Sequence, residues 1–98
     1  MMNYAVLVGR LVNDMKISKE NTLKIVLAVP RSYRNTNGDY TTDFINCRLY
    51  GSLATNTVEY CKKGDLVAVK GSIEVEDNVT FIRTEKISFL APNKSKDE

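Results

Sequence analysis

A chain of 98 residues holds one domain and no second; at this size folding buries roughly 60–70% of the surface the unfolded form exposes, enough for one small core. Its 14 Lys and Arg against 12 Asp and Glu leave a net charge of only +2, so bulk charge does not identify a polyanion partner and any electrostatic site must come from local clustering. Two cysteines without metal or disulfide spacing, and no histidine, argue for buried reduced thiols and against a metal or cofactor; the apolar run near the start is too short to span a bilayer and lacks a leader pattern, so a cytoplasmic protein with no membrane contact is expected.

In chain order, the first strand is predicted over Tyr4 to Val12, with Gly9 marking a bulge or bend. Leu23 to Val29 alternates Leu23, Ile25, Leu27 and Val29 against Lys24, Val26 and Ala28, and Pro30, which has no N–H, is expected to end that strand. The stretch PRSYRNTNGDYTT carries Asn37-Gly38, a hairpin turn signal, so strand two should return antiparallel into DFINCRLY through a long, basic, tyrosine-bearing tip. After Gly51 the period changes: Leu53, Ala54, Thr57, Val58 and Cys61 share one helical face, with Ser52 as N-cap, Tyr60 packed under the helix, and Lys62-Lys63-Gly64 as its cationic, glycine-capped end. Leu66 to Val75 and Val79 to Leu90 are the last two strands, joined by a tight turn at Glu76-Asp77-Asn78. Residues 1–91 therefore form the domain, and 92–98 a short polar tail expected to be disordered.

Strand, strand, strand, helix, strand, strand is the order of the OB-fold, an all-β, five-stranded Greek-key barrel with one short helix between strands three and four. An SH3-like barrel is the rival, but it does not usually need an amphipathic helix at that point.

One strand raises the functional question. In DFINCRLYG, Ile45, Cys47 and Leu49 fall on one side and read as core, while Phe44, Asn46, Arg48 and Tyr50 fall on the other. Two rings bracketing an amide and a guanidinium are unusual for a solvent-facing side. From the strand alone two explanations stay open, a second packed layer or subunit contact, and a platform on which nucleic-acid bases stack.

The chain also resembles the bacterial and phage single-stranded DNA-binding proteins. LVGRL near the start, LAV followed by R-x-Y, NGDYTTDFINC, LYG, EYCKKGDLVAVKG and the terminal ISFLAP occur in the order and at the spacing of that family, over nearly the whole chain. The resemblance implies sequence-independent binding and protection of single-stranded DNA in replication, recombination and repair. By position, Tyr33, Phe44 and Tyr50 resemble the family's stacking residues, with Arg48 between two of them and Asn46 on the same face. Arg31 and Arg34 flank Tyr33 and, with Lys63, are candidate phosphate contacts; for these cations the plainer reading is solvated turn or helix-end charge. The resemblance further implies that strand one, through Tyr4, Val6 and Val8, pairs subunits into a homodimer or homotetramer.

Two departures qualify the resemblance. Family members usually have a long, basic, aromatic hairpin between strands four and five, whereas this chain turns within VEDNV and carries Glu74, Glu76 and Asp77 there. A shorter binding site and weaker affinity are expected. The acidic, hydrophobic tip that recruits replication and repair proteins is missing from NKSKDE, so recruitment of such partners through it is not expected. No nucleophile stands beside a base and no carboxylates cluster at metal-ligand spacing, which argues against an enzyme. The alternative function is an OB-type primosomal adaptor that binds single strands but mainly bridges partner proteins; a large apolar patch outside the aromatic track would favour it.

Overall fold

Apolar residues at every second position decide which way each strand faces in the computed structural model, which describes residues 1–93. The elements are β1 (Ala5–Leu11), β2 (Thr22–Arg34), β3 (Tyr40–Tyr50), α1 (Gly51–Tyr60), β4 (Leu66–Glu76) and β5 (Val79–Ala91). The strands close into a barrel in the order β1-β2-β3-β5-β4, with β4 pairing back to β1. All neighbours are antiparallel except β3 and β5, which run parallel. The expected five-stranded barrel with its helix between the third and fourth strands is the architecture found.

Inward residues of all the strands meet in one core. Leu23, Ile25 and Leu27 of β2, Cys47 and Leu49 of β3, and Val67 and Val69 of β4 are buried together with Leu11, Ile82 and Ala54 of α1. Each fully buried aliphatic side chain contributes about 1.5–3 kcal/mol, so this cluster supplies most of the driving force for folding. Both thiols lie within it, and burial pushes Cys47 up to about 12 and raises Cys61 as well. We expect neither cysteine to react with a disulfide reagent at pH 8 in the native protein, and both to react in denaturant. Native labelling of either would mean that the barrel opens readily.

Several local expectations are corrected by the fold. β2 does not end at Pro30, which stays in register with Thr42; a register shift follows, and pairing resumes between Arg34 and Tyr40. Irregularities of this kind are where a strand accommodates a residue without an N–H. The β2–β3 connection is the longer tip expected, turning at Asn37-Gly38. Gly38 alone is left-handed (φ 86°), its N–H donates to the Asn35 carbonyl, and the Asn35 side-chain oxygen accepts from the Asn37 and Asp39 amides. Gly9 makes no bulge, since β1 pairs with β4 in unbroken register from Ala5 to Arg10. It is needed instead for close approach, because a Cβ there would stand 2.6 Å from the Ala28 carbonyl oxygen of β2.

At the helix, Tyr50 rather than Ser52 is the N-cap, and no side chain caps it; the Gly51 amide donates instead to the Asn21 carbonyl. The helix ends at Tyr60, with Cys61 as C-cap, so Lys62, Lys63 and Gly64 lie beyond its last turn. There the Asp65 carboxylate accepts from the Lys62 and Asn93 amides, an anchor that local periodicity does not reveal. Asn93 is thereby held to the barrel, while the rest of the tail that was expected to be disordered, 94–98, lies outside the described residues. Tyr60 is 74% exposed and does not pack under the helix; Thr57 and Ala54 fill that position. At the β4–β5 turn both Asp77 and Asn78 are left-handed (φ 52° and 66°), the tight two-residue hairpin that the short spacing implied.

Candidate nucleic-acid interface

The outer face of β3 carries what alternation assigns to it. Phe44 is 64% exposed, Asn46 is exposed, and Arg48 and Tyr50 are half-buried. Register with β2 sets Ala28 beside Phe44, Val26 beside Asn46, Lys24 beside Arg48 and Thr22 beside Tyr50. Beside the small Ala28 the Phe44 ring stays largely exposed, at the edge of an open hollow that Ile73 and Phe81 also line. No packed second layer covers it among the described residues.

Closure of the barrel adds a third strand to this face. β5 lies parallel to β3 with Arg83 opposite Arg48, so Lys24, Arg48 and Arg83 form a row of cations on three adjacent strands. The Arg48 guanidinium lies 3.8 Å from the centroid of the Phe81 ring and covers it, and Arg83 stands 4.5 Å from that of Tyr50. Both are cation–π contacts that set a guanidinium over an aromatic ring. Asn13, Lys24, Asn46, Arg48, Val79 and Phe81 line one shallow hollow on this face.

Adjacent strands are about 4.8 Å apart, so a row of like charges needs anions. The β4–β5 hairpin supplies them. Glu76 accepts a hydrogen bond from Arg48, and Glu74 lies 3.8 Å from Arg83. The hydrogen bond from Arg48 holds the Glu76 carboxyl below its ordinary range, with a smaller contribution from the charge of Lys24. On the other flank Arg31 is not a freely solvated turn charge: its Nε and Nη2 donate to Asp43 at 2.9 and 3.1 Å, and that hydrogen bond lowers the Asp43 carboxyl. Arg34 lies over the Tyr40 ring at 5.2 Å, and Tyr33 is exposed on the same hairpin arm.

Phe44, Asn46, Arg48 and Tyr50 thus share one face, with Arg31, Tyr33 and Arg34 on the strand that flanks it. Lys63 stands apart. It lines a separate hollow with Asp14, Lys62, Asp65, Pro92 and Asn93, none of which belongs to β2 or β3. Lys24, Phe81 and Arg83 were missed by sequence reasoning. Lys24 was legible from the alternation of β2 once the hairpin register was known, but Phe81 and Arg83 join the site only because β5 closes against β3.

Residues 2–85 match the single-strand binding protein family. The chain belongs to that family. Among curated relatives, single-stranded DNA-binding protein B of Bacillus subtilis (strain 168) is 34% identical over 105 residues, covering 94% of this chain and 93% of that protein. Single-stranded DNA-binding protein 2 of Listeria monocytogenes is 35% identical over 111 residues, covering 100% and 69%. The crystal structure of the small single-stranded DNA-binding protein from Streptomyces coelicolor superimposes with a TM-score of 0.72 at 22% identity, over 92% of this chain and 95% of that one, a likeness of fold. In this chain β4 turns into β5 through only Asp77 and Asn78, which brings Glu74 and Glu76 against the cation row.

Proposed function

We propose that this protein binds single-stranded DNA without regard to base sequence and protects it during replication, recombination and repair in the bacterial cytoplasm. The observation that carries the reading is the outer face of β3, where an uncovered Phe44 ring and the Tyr50 ring bracket Asn46 and a row of three cations. A ring accepts any base, because every base has a π-face, and each stack contributes about 1–3 kcal/mol. Phe44 and Tyr50, six residues apart on one strand, are separated by about 20 Å and serve different nucleotides. The face is a track rather than a pocket. Tyr33 extends it along the β2 arm, and Lys24, Arg48 and Arg83, with Arg31 and Arg34 beyond, follow the phosphates. Lys63 is at most a remote contact.

Subunit pairing through β1 belongs to the same proposal. Tyr4, Val6 and Val8 are exposed, and among the described residues β2 pairs with β1 only at Arg10 and Leu11, so the preceding stretch keeps one strand edge free. A free apolar edge invites pairing with a second copy. The adaptor reading draws support from one feature outside the aromatic track: the exposed Tyr60 and Phe89 in a groove that Leu53, Thr57 and Ile87 also line.

Tyrosine fluorescence titrations separate the two, since the chain has five tyrosines and no tryptophan. With oligo-dT of increasing length, we expect quenching that saturates at a few nucleotides per fold, with log K falling against log salt by about 0.7 per phosphate contact. Light scattering on the same sample is expected to give a dimer or tetramer. Tyrosine fluorescence that oligo-dT leaves unquenched at low salt would remove the single-strand-binding function altogether, whereas binding that does not saturate at a few nucleotides per fold would favour the adaptor reading.

A further inference from the structure

We propose that Glu76 is an internal stand-in for a DNA phosphate, occupying the guanidinium of Arg48 and setting both the affinity of the face and its response to salt. The inference rests on the single-strand-binding reading above. Three observations on different strands converge on it.

First, Arg48 sits at the centre of the cation row, between Lys24 and Arg83 in register, where a phosphate would meet the most positive charge. Second, its side chain is only 15% exposed, held between the Phe81 ring beneath and the Glu76 carboxylate, whereas Glu76 itself is 63% exposed at the solvent side. A phosphate oxygen reaching Arg48 from solvent therefore meets the carboxylate first. Third, the residue comes from the last position of β4, one before a turn whose two central residues are both left-handed, so a short, rigid hairpin delivers it.

A carboxylate and a phosphate diester offer the guanidinium the same thing, an anionic oxygen acceptor. Only one of them can fill a given pair of donors. A strand that takes Arg48 must displace Glu76 and then pass an unpaired carboxylate close to its own phosphates. The paired Glu76 has its carboxyl lowered by the Arg48 hydrogen bond, so it stays ionised at neutral pH and the competition is always present. Glu74 near Arg83 repeats the arrangement more loosely, at 3.8 Å.

The test is oligo-dT affinity for Glu76→Gln, with Asp77→Asn as the charge control. Asp77 is the next residue, no ion pair involves it among the described residues, and asparagine tolerates its left-handed backbone. Both variants remove one negative charge from the same turn. Glu76→Gln is expected to tighten binding about threefold to tenfold at low salt, and Asp77→Asn by under about twofold, with the difference fading near 1 M salt, where charges are screened within about 3 Å. In an Arg48→Ala background the advantage of Glu76→Gln should disappear. Equal gains from both turn variants, or a gain that survives without Arg48, would make the effect one of general charge and overturn the proposal. So would weaker binding by Glu76→Gln, which would mean that Glu76 holds Arg48 in its competent position. The two readings fail separately: wild-type protein that ignores oligo-dT removes the underlying function, whereas wild-type binding that Glu76→Gln leaves unchanged removes only this inference.

Discussion

Phe44→Ala is expected to weaken single-strand binding by about 1–3 kcal/mol while leaving the melting temperature within a few degrees of wild type. The ring is 64% exposed, stands beside the small Ala28 and only edges an open hollow that Ile73, Phe81 and Ile82 also line, so its removal costs little packing. What it does remove is a stacking surface. Tyr50→Ala is a mixed case, because that ring is half-buried and carries Arg83 at 4.5 Å; it should lose binding and some stability together. Calorimetry and titration on the same preparations separate the terms. If Phe44→Ala melts early and binds oligo-dT with unchanged affinity per folded molecule, the aromatic track is not the binding surface.

Leu49→Ala should do the reverse. Its side chain is fully buried (0% exposed) against the cluster from β2, β4 and α1, only one residue from Arg48 and from Tyr50. Truncating a buried leucine costs about 2–5 kcal/mol from lost transfer energy and the cavity left behind. That is a large share of the roughly 5–15 kcal/mol that stabilises a small domain. Denaturant unfolding should show the midpoint falling with the slope unchanged, and binding per folded molecule should stay near wild type. Ile45→Ala, on the same side of the strand but only partly buried, should give a smaller loss of the same kind. Equal losses of binding from the two faces of β3 would contradict the division of labour that its alternation implies.

That division was legible from sequence because it is local. A strand's side chains point alternately, so Ile45, Cys47 and Leu49 had to share one side and Phe44, Asn46, Arg48 and Tyr50 the other, whatever the strand packed against. The same locality made the two hairpins, the helix and the order of elements along the chain readable: turn residues and a change of period report on neighbours along the chain. Local reading failed where non-local backbone contacts decided. Pro30 does not stop β2, because the β3 partner and a register shift absorb it. Ser52 does not cap α1, because the helix begins one residue before it, at Gly51, whose amide donates to the Asn21 carbonyl thirty positions earlier in the chain. Tyr60 faces solvent, since it lies outside the face that Ala54 and Thr57 turn to the barrel.

The largest gap concerns charge. In sequence the acidic hairpin reads only as the loss of a basic one, an absence that weakens a site elsewhere. In the folded barrel it is a presence, because closure of β5 against β3 carries Glu74 and Glu76 to Arg83 and Arg48. The sequence by itself determined which residues of β3 face outward and that aromatic rings and cations stand among them. Only the tertiary structure decided that Phe81 and Arg83 join the face, that three cations line up across it, and that carboxylates already sit on two of them. Parallel pairing of strands more than thirty residues apart leaves no period, turn or spacing in the chain; it exists only once the core has drawn the barrel shut.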